Sequence, residues 1–323
     1  MNRDVRSFPM RVLLVVFFAS GCSTSSPLPR LDQVEKSLAE PMVLELLPEN
    51  RPVVLVQFPG TTEIGDAGVP MIVDSGAAIT VLSKSFAEEL GLYVALFDGE
   101  GKAYGSGGGT AALTHYAAID HLRVGDVNAR GFHVAVVDSV AIDEENFVGI
   151  LGQDLFGAFA TLIDMVGREL HFLPASFRQE EISTYLSNET NFGGDWYITP
   201  AKYEPLPFMD FSYTVDGQKH DFSLGLDTGA VGTSMPLELC EALELESTGG
   251  GTRTGIDGLF EVTEYALNDL GIGSFQVSLD VAESKSEYGM LGMDVLSKFV
   301  MILDSPTERV WLLLQEQSSA DDE

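Results

Sequence analysis

One short pattern occurs twice in the chain, and this repeat constrains the fold more than any other feature. An apolar run leads into Asp-Ser-Gly-Ala at residues 74–77 and into Asp-Thr-Gly-Ala at residues 227–230. A single Asp-Ser-Gly or Asp-Thr-Gly is an ordinary turn composition. Two copies in matched contexts predict that each half of the chain supplies one carboxyl group to a shared site, Asp74 from the first half and Asp227 from the second.

A second segment repeats further along each half. Residues 148–156 read VGILGQDLF and residues 288–296 read YGMLGMDVL, at an offset of 140, whereas the aspartate motifs are offset by 153. The second half is therefore shorter between its two repeated segments, and duplication of a whole domain is the simplest origin. Asp154 and Asp294 lie inside this repeat at the start of short helical stretches, where we expect them to act as helix N-caps.

Strand patterns dominate the rest of the chain, which indicates a mainly β fold. The predicted strands include Met42–Leu47, Val53–Phe58, Met71–Asp74, His115–Val124 and Phe132–Asp138. Residues 84–91 form the one clear helix predicted in the first half, because Phe86 and Leu90 have helical spacing and Gly91 can end the helix. Residues 59–68 are predicted to be a turn region.

Glycine-dense runs follow each aspartate motif, at residues 99–110 and 249–258. The first run is not a phosphate-binding loop, because the Gly-Lys-Ser/Thr ending and a following helix are missing. Each is either a hairpin tip or a flap over a cleft, and the similar placement in both halves favours the flap. The residues expected to contact substrate from these runs are Tyr104, Gly105, Gly107, Ile256, Asp257 and Gly258.

The paired motifs, each followed by a helix, a glycine-rich run and an apolar Leu-Gly segment, resemble the aspartic proteases of retropepsin type over residues 42–314. The resemblance implies two pseudo-symmetric retropepsin-like β-barrel lobes fused in one chain, with the active site in the cleft between them. It implies that Asp74 and Asp227 are the catalytic pair and that Ser75 and Thr228 brace them. The further supporting residues that it implies are Gly76, Gly229, Gly152 and Gly292.

The activity that this resemblance implies is that of an aspartic endopeptidase, which hydrolyses peptide bonds of extended polypeptides with a water molecule activated between Asp74 and Asp227. No cofactor is required. Ala77 and Ala230 lack a hydroxyl group that could stabilise the ionised carboxylates. We therefore expect a pH optimum nearer neutrality than that of a digestive enzyme.

Two other functions fit parts of the pattern. A non-catalytic peptide-binding lipoprotein could keep the same fold, although both acids and both glycines are intact here. A different two-carboxylate hydrolase, such as a glycosidase, would not need the paired Gly and Ala after each acid or the repeated Leu-Gly segments.

The first 21 residues resemble a signal peptide. Arg3, Arg6 and Arg11 precede an apolar run that is too short to span a bilayer, and small residues precede Cys22. This arrangement resembles a bacterial lipobox, with acylation at Cys22, and Ser23 suggests the periplasmic face of the outer membrane. Plain secretion is the alternative, because Ala19 stands where the motif usually has leucine.

The remaining boundaries follow from composition. Residues 22–40 form a polar tether that is too short for an inhibitory propeptide, so we expect no zymogen. We expect a first lobe at 41–174, a linker at 175–197, a second lobe at 198–316 and an acidic tail at 317–323. With its active site formed within one chain, the protein is expected to be a monomer.

Charge and the remaining reactive residues limit the partners. A net charge of −31 argues against binding to nucleic acid or to anionic membranes, so the lipid at Cys22 is the only membrane attachment expected. The five histidines have no metal-ligand spacing, and no metal is expected. Cys240 is expected to pack in the core, with a reactive thiol as the alternative.

Overall fold

The computed structural model describes residues 41–96, 102–104, 110–112, 115–138, 147–189, 192–203, 206–255 and 258–315. Five of the predicted site residues lie outside these ranges: Cys22, Gly105, Gly107, Ile256 and Asp257.

The strands of the first half are β1 (Met42–Val43), β2 (Glu45–Leu46), β3 (Pro52–Gln57), β4 (Val69–Val73), β5 (Val81–Ser83), β6 (Val94–Leu96), β7 (Lys102–Tyr104), β8 (Thr110–Ala112), β9 (His115–Val124), β10 (Val127–Val137), β11 (Gly149–Leu151), β12 (Ala160–Asp164) and β13 (Glu169–Leu173). The strands of the second half are β14 (Tyr197–Pro200), β15 (Lys202–Tyr203), β16 (Pro207–Val215), β17 (Gln218–Leu226), β18 (Ser234–Pro236), β19 (Glu246–Gly255), β20 (Gly258–Ile272), β21 (Phe275–Ser284), β22 (Gly289–Leu291), β23 (Phe299–Asp304) and β24 (Arg309–Leu314).

The α-helices are α1 (Glu63–Ala67), α2 (Lys84–Glu89), α3 (Gln153–Phe156), α4 (Gln179–Asn188), α5 (Leu237–Ala242) and α6 (Met293–Leu296), with short 3-10 helices at Pro48–Asn50 and Ser305–Thr307. None of the helices in the described ranges is long and apolar enough to cross a membrane.

Each half builds one eight-stranded sheet, and the two sheets have the same strand order. The first runs β2-β3-β4-β11-β5-β10-β9-β6, and the second runs β15-β16-β17-β22-β18-β21-β20-β19. In the first half β3 also pairs with β9, which closes the sheet into a barrel. Buried and exposed residues alternate along β9, as expected for a strand with one face on the core. The predicted mainly β fold with two pseudo-symmetric lobes is confirmed.

A six-stranded sheet, in the order β1-β13-β12-β23-β24-β14, joins the two lobes. Its central pair is antiparallel and combines one strand from each half, β12 and β23, with Leu162 opposite Ile302. These two residues are equivalent at the offset of 140, so the pseudo-twofold axis of the chain passes between them. Every residue of β12 and β23 is buried. The two lobes are therefore continuous through backbone hydrogen bonds.

Two segments contain more helix than the sequence predicted. The predicted turn at 59–68 contains α1, because Thr62 caps it by accepting from Gly65 N at 3.3 Å. Residues 175–197, predicted as a linker, contain the ten-residue α4. Ile182 and Leu186 of α4 are buried against one face of the six-stranded sheet, in a cluster that also contains Trp311.

The buried side chains of His171 and Cys240 have local roles outside the site. His171 is 1% exposed, and its Nδ1 lies 2.7 Å from the Tyr185 hydroxyl while its Nε2 lies 3.1 Å from Glu169. Cys240 is fully buried in α5, as predicted, and burial raises the pKa of its thiol to about 11. A thiol with so high a pKa is a poor nucleophile at neutral pH.

Because the central sheet shares strands from both halves, we predict that the lobes unfold together. Trp196 and Trp311, whose rings are 6.3 Å apart, are the two tryptophans of the chain and report on this sheet, whereas far-UV circular dichroism reports on both lobes. In urea the two signals should follow one transition. Leu162→Ala should lower the free energy of unfolding by about 3 kcal/mol in both signals. Two separated transitions would contradict a shared sheet.

Candidate active site

The two aspartates lie at the carboxyl ends of equivalent strands. Asp74 follows β4 and its backbone N–H donates to Leu151 O at 3.1 Å, and Asp227 follows β17 and donates to Leu291 O at 3.0 Å. The acceptors belong to the repeated Leu-Gly segments, which pair in parallel with the strands that carry the acids. The exposed fractions of Asp74 and Asp227 are 1% and 0%. The apolar strands thus hold both acids at the buried floor between the lobes.

The residues that follow the aspartates bond across the two lobes. Ser75 Oγ donates to Leu226 O at 2.7 Å and accepts from Thr228 N at 3.0 Å. Thr228 Oγ1 reciprocally donates to Val73 O at 2.6 Å and accepts from Ser75 N at 3.0 Å. We call these four contacts the cross-lobe bonds. They fix the two halves of the site relative to each other, since each of the two buried hydroxyl groups both donates and accepts a hydrogen bond across the lobes.

Each glycine of the motif packs against the aspartate of the opposite lobe. A Cβ atom on Gly76 would lie 2.4 Å from Asp227 Cγ, and a Cβ on Gly229 would lie 2.4 Å from Asp74 Cγ. No side chain fits in either place. The glycines are therefore required because each carboxyl group occupies the space where the partner lobe would otherwise place a side chain.

The two carboxyl groups lie close enough for each to affect the pKa of the other. Burial raises the pKa of Asp74 to about 7, although the N–H groups of Gly76, Ala77 and Gly229 oppose this shift. Burial also raises the pKa of Asp227 well above its ordinary range, and the charge of Asp74 adds to the effect. The pair titrates as one unit and holds a single proton near neutral pH.

One oxygen of each carboxyl group has backbone donors and the other does not. Asp74 Oδ1 accepts from Gly76 N at 2.7 Å, and Asp227 Oδ1 accepts from Gly229 N at 3.0 Å and Ala230 N at 2.9 Å. Among the described residues, no N–H or hydroxyl group donates to either Oδ2 atom. These two oxygens are the ones able to exchange protons with a bound reactant.

The alanine after each glycine lies in an apolar cluster. Ala77 packs with the cluster of Val53, Ile72, Val81, Ala135, Val137, Phe147 and Ile150. Ala230 packs with Ala78, Leu206 and Met290, against which Phe208 is also packed. Both alanines are fully buried. The walls beside the two carboxyl groups are consequently apolar in both lobes.

A second pair of acids supports the loops after the motif. Asp154 accepts from Thr80 N and Thr80 Oγ1, each at 2.8 Å, and Asp294 accepts from Thr233 N at 2.9 Å and Thr233 Oγ1 at 2.8 Å. Their expected role as N-caps is wrong, since backbone geometry places the caps of α3 and α6 at glycines 152 and 292. The physical reason is that each carboxylate turns away from its own helix toward the buried threonine.

These threonine and aspartate pairs also shift the pKa values of the acids. Burial raises the pKa of Asp154 to about 7 and raises that of Asp294, while the bonds from the threonines work in the opposite direction. Gly152 N and Gly292 N donate to the same threonine hydroxyls, at 3.2 and 3.1 Å. The sequence contains one sign of this threonine–aspartate contact, because both residues recur at matched positions in the two halves.

The glycine-rich runs take part in hairpins. Lys102–Tyr104 pairs with Thr110–Ala112, Tyr104 opposite Thr110, and β19 pairs with β20 as far as Gly255 opposite Gly258. The contacts of the Tyr104 side chain lie outside the described part of the structure. Most of the second run is thus an extended strand rather than a turn. Its role as a flap stays a prediction.

Arg253 on β19 is a site residue that no sequence motif identifies. It is 4% exposed, its Nη2 lies 3.2 Å from Glu264 Oε1, and its Nη1 would lie 2.8 Å from a Cβ on Gly232. Its positive charge also acts on Asp294. The guanidinium group therefore joins the β19–β20 hairpin to the loop that follows Asp227.

Within the described ranges, no group of three or more histidine, cysteine, aspartate or glutamate side chains is arranged to hold a metal ion. The chemistry that this site can perform is acid and base catalysis by two carboxyl groups that share one proton.

Two lobes of equivalent topology that meet at a buried pair of aspartates define the class of the acid proteases. In agreement, the sequence model of the family described as aspartyl protease matches residues 60–155 and 211–295, together more than half of the chain. The chain belongs to the aspartyl protease family. The matched regions contain one motif each, which is the expectation for two retropepsin-like domains. No curated protein matches the chain in a sequence search.

The cross-lobe bonds give a first prediction for this site. Thr228→Val leaves Ser75 N and Val73 O buried without partners, which should lower the free energy of unfolding by about 2 to 4 kcal/mol. Thr228→Ser keeps the hydroxyl group and should lose less than about 1 kcal/mol. Urea denaturation of both variants provides the measurement, and equal losses would contradict the role of the hydroxyl group.

The buried acids predict a pH dependence of stability. Between about pH 4 and pH 7 the folded protein keeps protons that the unfolded chain has released, so the free energy of unfolding falls as pH rises. Asp74→Asn removes one such group and should stabilise the protein by about 2 kcal/mol at pH 7 and much less at pH 4. The exposed Asp210→Asn is the control for lost charge. A stability difference that is the same at both pH values would contradict the raised pKa of Asp74.

Proposed function

We propose that the protein is an aspartic endopeptidase that hydrolyses peptide bonds of extended polypeptides, with Asp74 and Asp227 as the catalytic pair. The observation that carries this proposal is the meeting of two buried carboxyl groups, one from each lobe, each packed against the motif glycine of the opposite lobe. Membership of the aspartyl protease family supports the same reaction class.

The electrostatics of the pair explain how it would act. Two carboxylates about 4 Å apart, at an effective dielectric constant near 20, repel each other by about 4 kcal/mol, or roughly three pK units. One carboxyl group is therefore ionised and the other protonated over a wide range of pH. The same repulsion, together with burial, disfavours the state in which both carboxyl groups are ionised. In that state neither group could donate a proton to the substrate.

The hydrolysis follows from this shared proton. The ionised carboxylate removes a proton from water as the water oxygen bonds to the scissile carbonyl carbon, and the protonated carboxyl group donates to the carbonyl oxygen. The resulting tetrahedral diol collapses as its C–N bond breaks: the nitrogen takes up a proton from the pair, and one hydroxyl group of the diol gives its proton to the ionised carboxylate as the C=O bond re-forms. The products are a carboxylic acid and an amine, and the pair again holds one proton.

The substrate should bind as an extended strand. β19 is the last strand of its sheet, so in the described structure it pairs on one side only, and an added peptide strand can use its free backbone groups. The apolar clusters around Ala77 and Ala230 favour apolar side chains next to the cleaved bond. Six to eight residues at roughly 3.3 Å each would span a cleft of about 20 to 26 Å.

A glycosidase mechanism agrees less well with this geometry. The two carboxyl groups of a glycosidase stand about 5 to 9.5 Å apart, on opposite sides of the sugar bond. Asp74 and Asp227 instead lie together at one buried floor, each packed against the motif glycine of the opposite lobe.

Digestion of a mixed peptide library by the purified protein tests the proposal. Wild type should cut internal peptide bonds, and Asp74→Asn and Asp227→Asn should each reduce kcat by at least about a thousandfold, because each removes a proton carrier. Asp210→Asn, an exposed strand position, should leave cleavage unchanged.

The same digest across pH tests the expectation for Ala77 and Ala230. Since no hydroxyl group donates to either Oδ2 in the described site, activity should peak above about pH 4.5. A peak only well below pH 4 would contradict this expectation. Equal cleavage by wild type and the two aspartate variants would refute the protease assignment, and binding of peptides without cleavage would favour a non-catalytic peptide-binding lipoprotein.

A further inference from the structure

The residue after each Leu-Gly segment breaks the symmetry of the site. The first lobe has Gln153 and the second has Met293 at the equivalent position. Both are nearly fully buried, with exposed fractions of 7% and 1%. A buried amide in place of a thioether needs a hydrogen-bond partner, and Gln153 Nε2 donates to Ser75 O at 3.1 Å.

The acceptor belongs to the peptide unit that holds the catalytic carboxylate. The carbonyl group of Ser75 and the N–H of Gly76 are the two ends of one peptide unit, and that N–H donates to Asp74 Oδ1 at 2.7 Å. A hydrogen bond accepted at the carbonyl oxygen polarises the peptide and strengthens its N–H as a donor. It also fixes the plane of the peptide, and so the direction of the N–H. Gln153 thus acts on Asp74 through one rigid unit.

The second lobe lacks this support. The equivalent peptide unit joins Thr228 to Gly229, and its N–H donates to Asp227 Oδ1 at the longer distance of 3.0 Å. Met293 has no group that can donate to the carbonyl oxygen of Thr228.

Most of the other contacts are matched in the two lobes. The backbone N–H of each aspartate donates to an equivalent leucine carbonyl, and the cross-lobe bonds are reciprocal. One backbone contact differs, because Ala230 N donates to Asp227 Oδ1 at 2.9 Å whereas Ala77 N donates to the backbone carbonyl of Asp74 at 3.3 Å. Among the side chains, the amide of Gln153 is the difference that acts on the peptide unit bonded to a catalytic carboxyl group.

We propose that Gln153 is a positioning residue that breaks the symmetry of the catalytic pair, so that Asp74 is the ionised base and Asp227 holds the proton. This inference rests on the proposed function for its catalytic consequence. Asp74 then removes the proton from water, and Asp227 donates to the carbonyl oxygen of the substrate.

A titration that does not depend on activity tests the proposal. In Asp227→Asn, Asp74 is the remaining acid of the pair, and its pKa can be followed by the ¹³C chemical shift of its carboxyl carbon. Adding Gln153→Met should raise that pKa by roughly half a unit to one unit, because the polarising bond is lost. Methionine is tolerated at the equivalent position of the second lobe, so the variant is expected to fold.

The reverse substitution gives an independent measurement. In Asp74→Asn, adding Met293→Gln should lower the pKa of Asp227 by a similar amount, since a donor is supplied to the carbonyl group of Thr228. Met293→Leu is the matched control and should leave the pKa of Asp227 unchanged.

Kinetics then test the catalytic consequence with both aspartates present. Gln153→Met should move the acidic limb of the kcat/KM profile to higher pH by about half a unit, and Met293→Leu should not move it. Superimposable titrations with and without Gln153→Met would overturn the inference, whatever the enzyme cleaves. Absence of cleavage by the wild-type protein would overturn the proposed function, while the carboxyl titrations would still decide the role of Gln153.

Discussion

Asp74 and Asp227 lie beneath the surface, where a charge costs far more free energy than in water. Most of the surrounding structure can be understood as the means of placing them there. The strands that carry them are apolar, and the motif glycine of each lobe leaves room for the carboxyl group of the other lobe. The cross-lobe bonds hold together the two segments that contain the aspartates. Sharing one proton limits the cost to a single buried charge. The same condition makes the pair an acid and a base at once.

The parts of this arrangement that lie within a short segment could be predicted from the sequence. The paired Asp-Ser/Thr-Gly-Ala motifs identified both acids and the residues that cross-link them, and the repeat predicted two similar β lobes. Local patterns were sufficient because an aspartate at the end of an apolar strand has few possible environments. Helix α1 was missed because its signal is a capping threonine in a stretch that otherwise has turn composition.

Contacts between distant segments could not be predicted in the same way. Asp154 was expected to cap its own helix, but it binds Thr80, which is 74 residues away. Gln153 reaches a carbonyl group 78 residues away, and Arg253 reaches the loop around Gly232. These contacts depend on the order of the strands in the folded sheets. A single sequence does not show which strands become neighbours. The resulting site has a symmetric backbone with unequal side chains, so duplicated segments acquire different roles through a few substitutions.

The pairing of Leu162 with Ile302 has a consequence for the origin of the chain. Because these positions are equivalent, each half carries a strand that is complementary to its own counterpart. A half separated from the other would expose this strand as an unpaired sheet edge, and a second copy of the same half could pair with it in the same register. The site needs only one acid from each side. The geometry of a homodimer with a shared active site is therefore preserved inside this single polypeptide, and covalent fusion is what has allowed its two sides to become different.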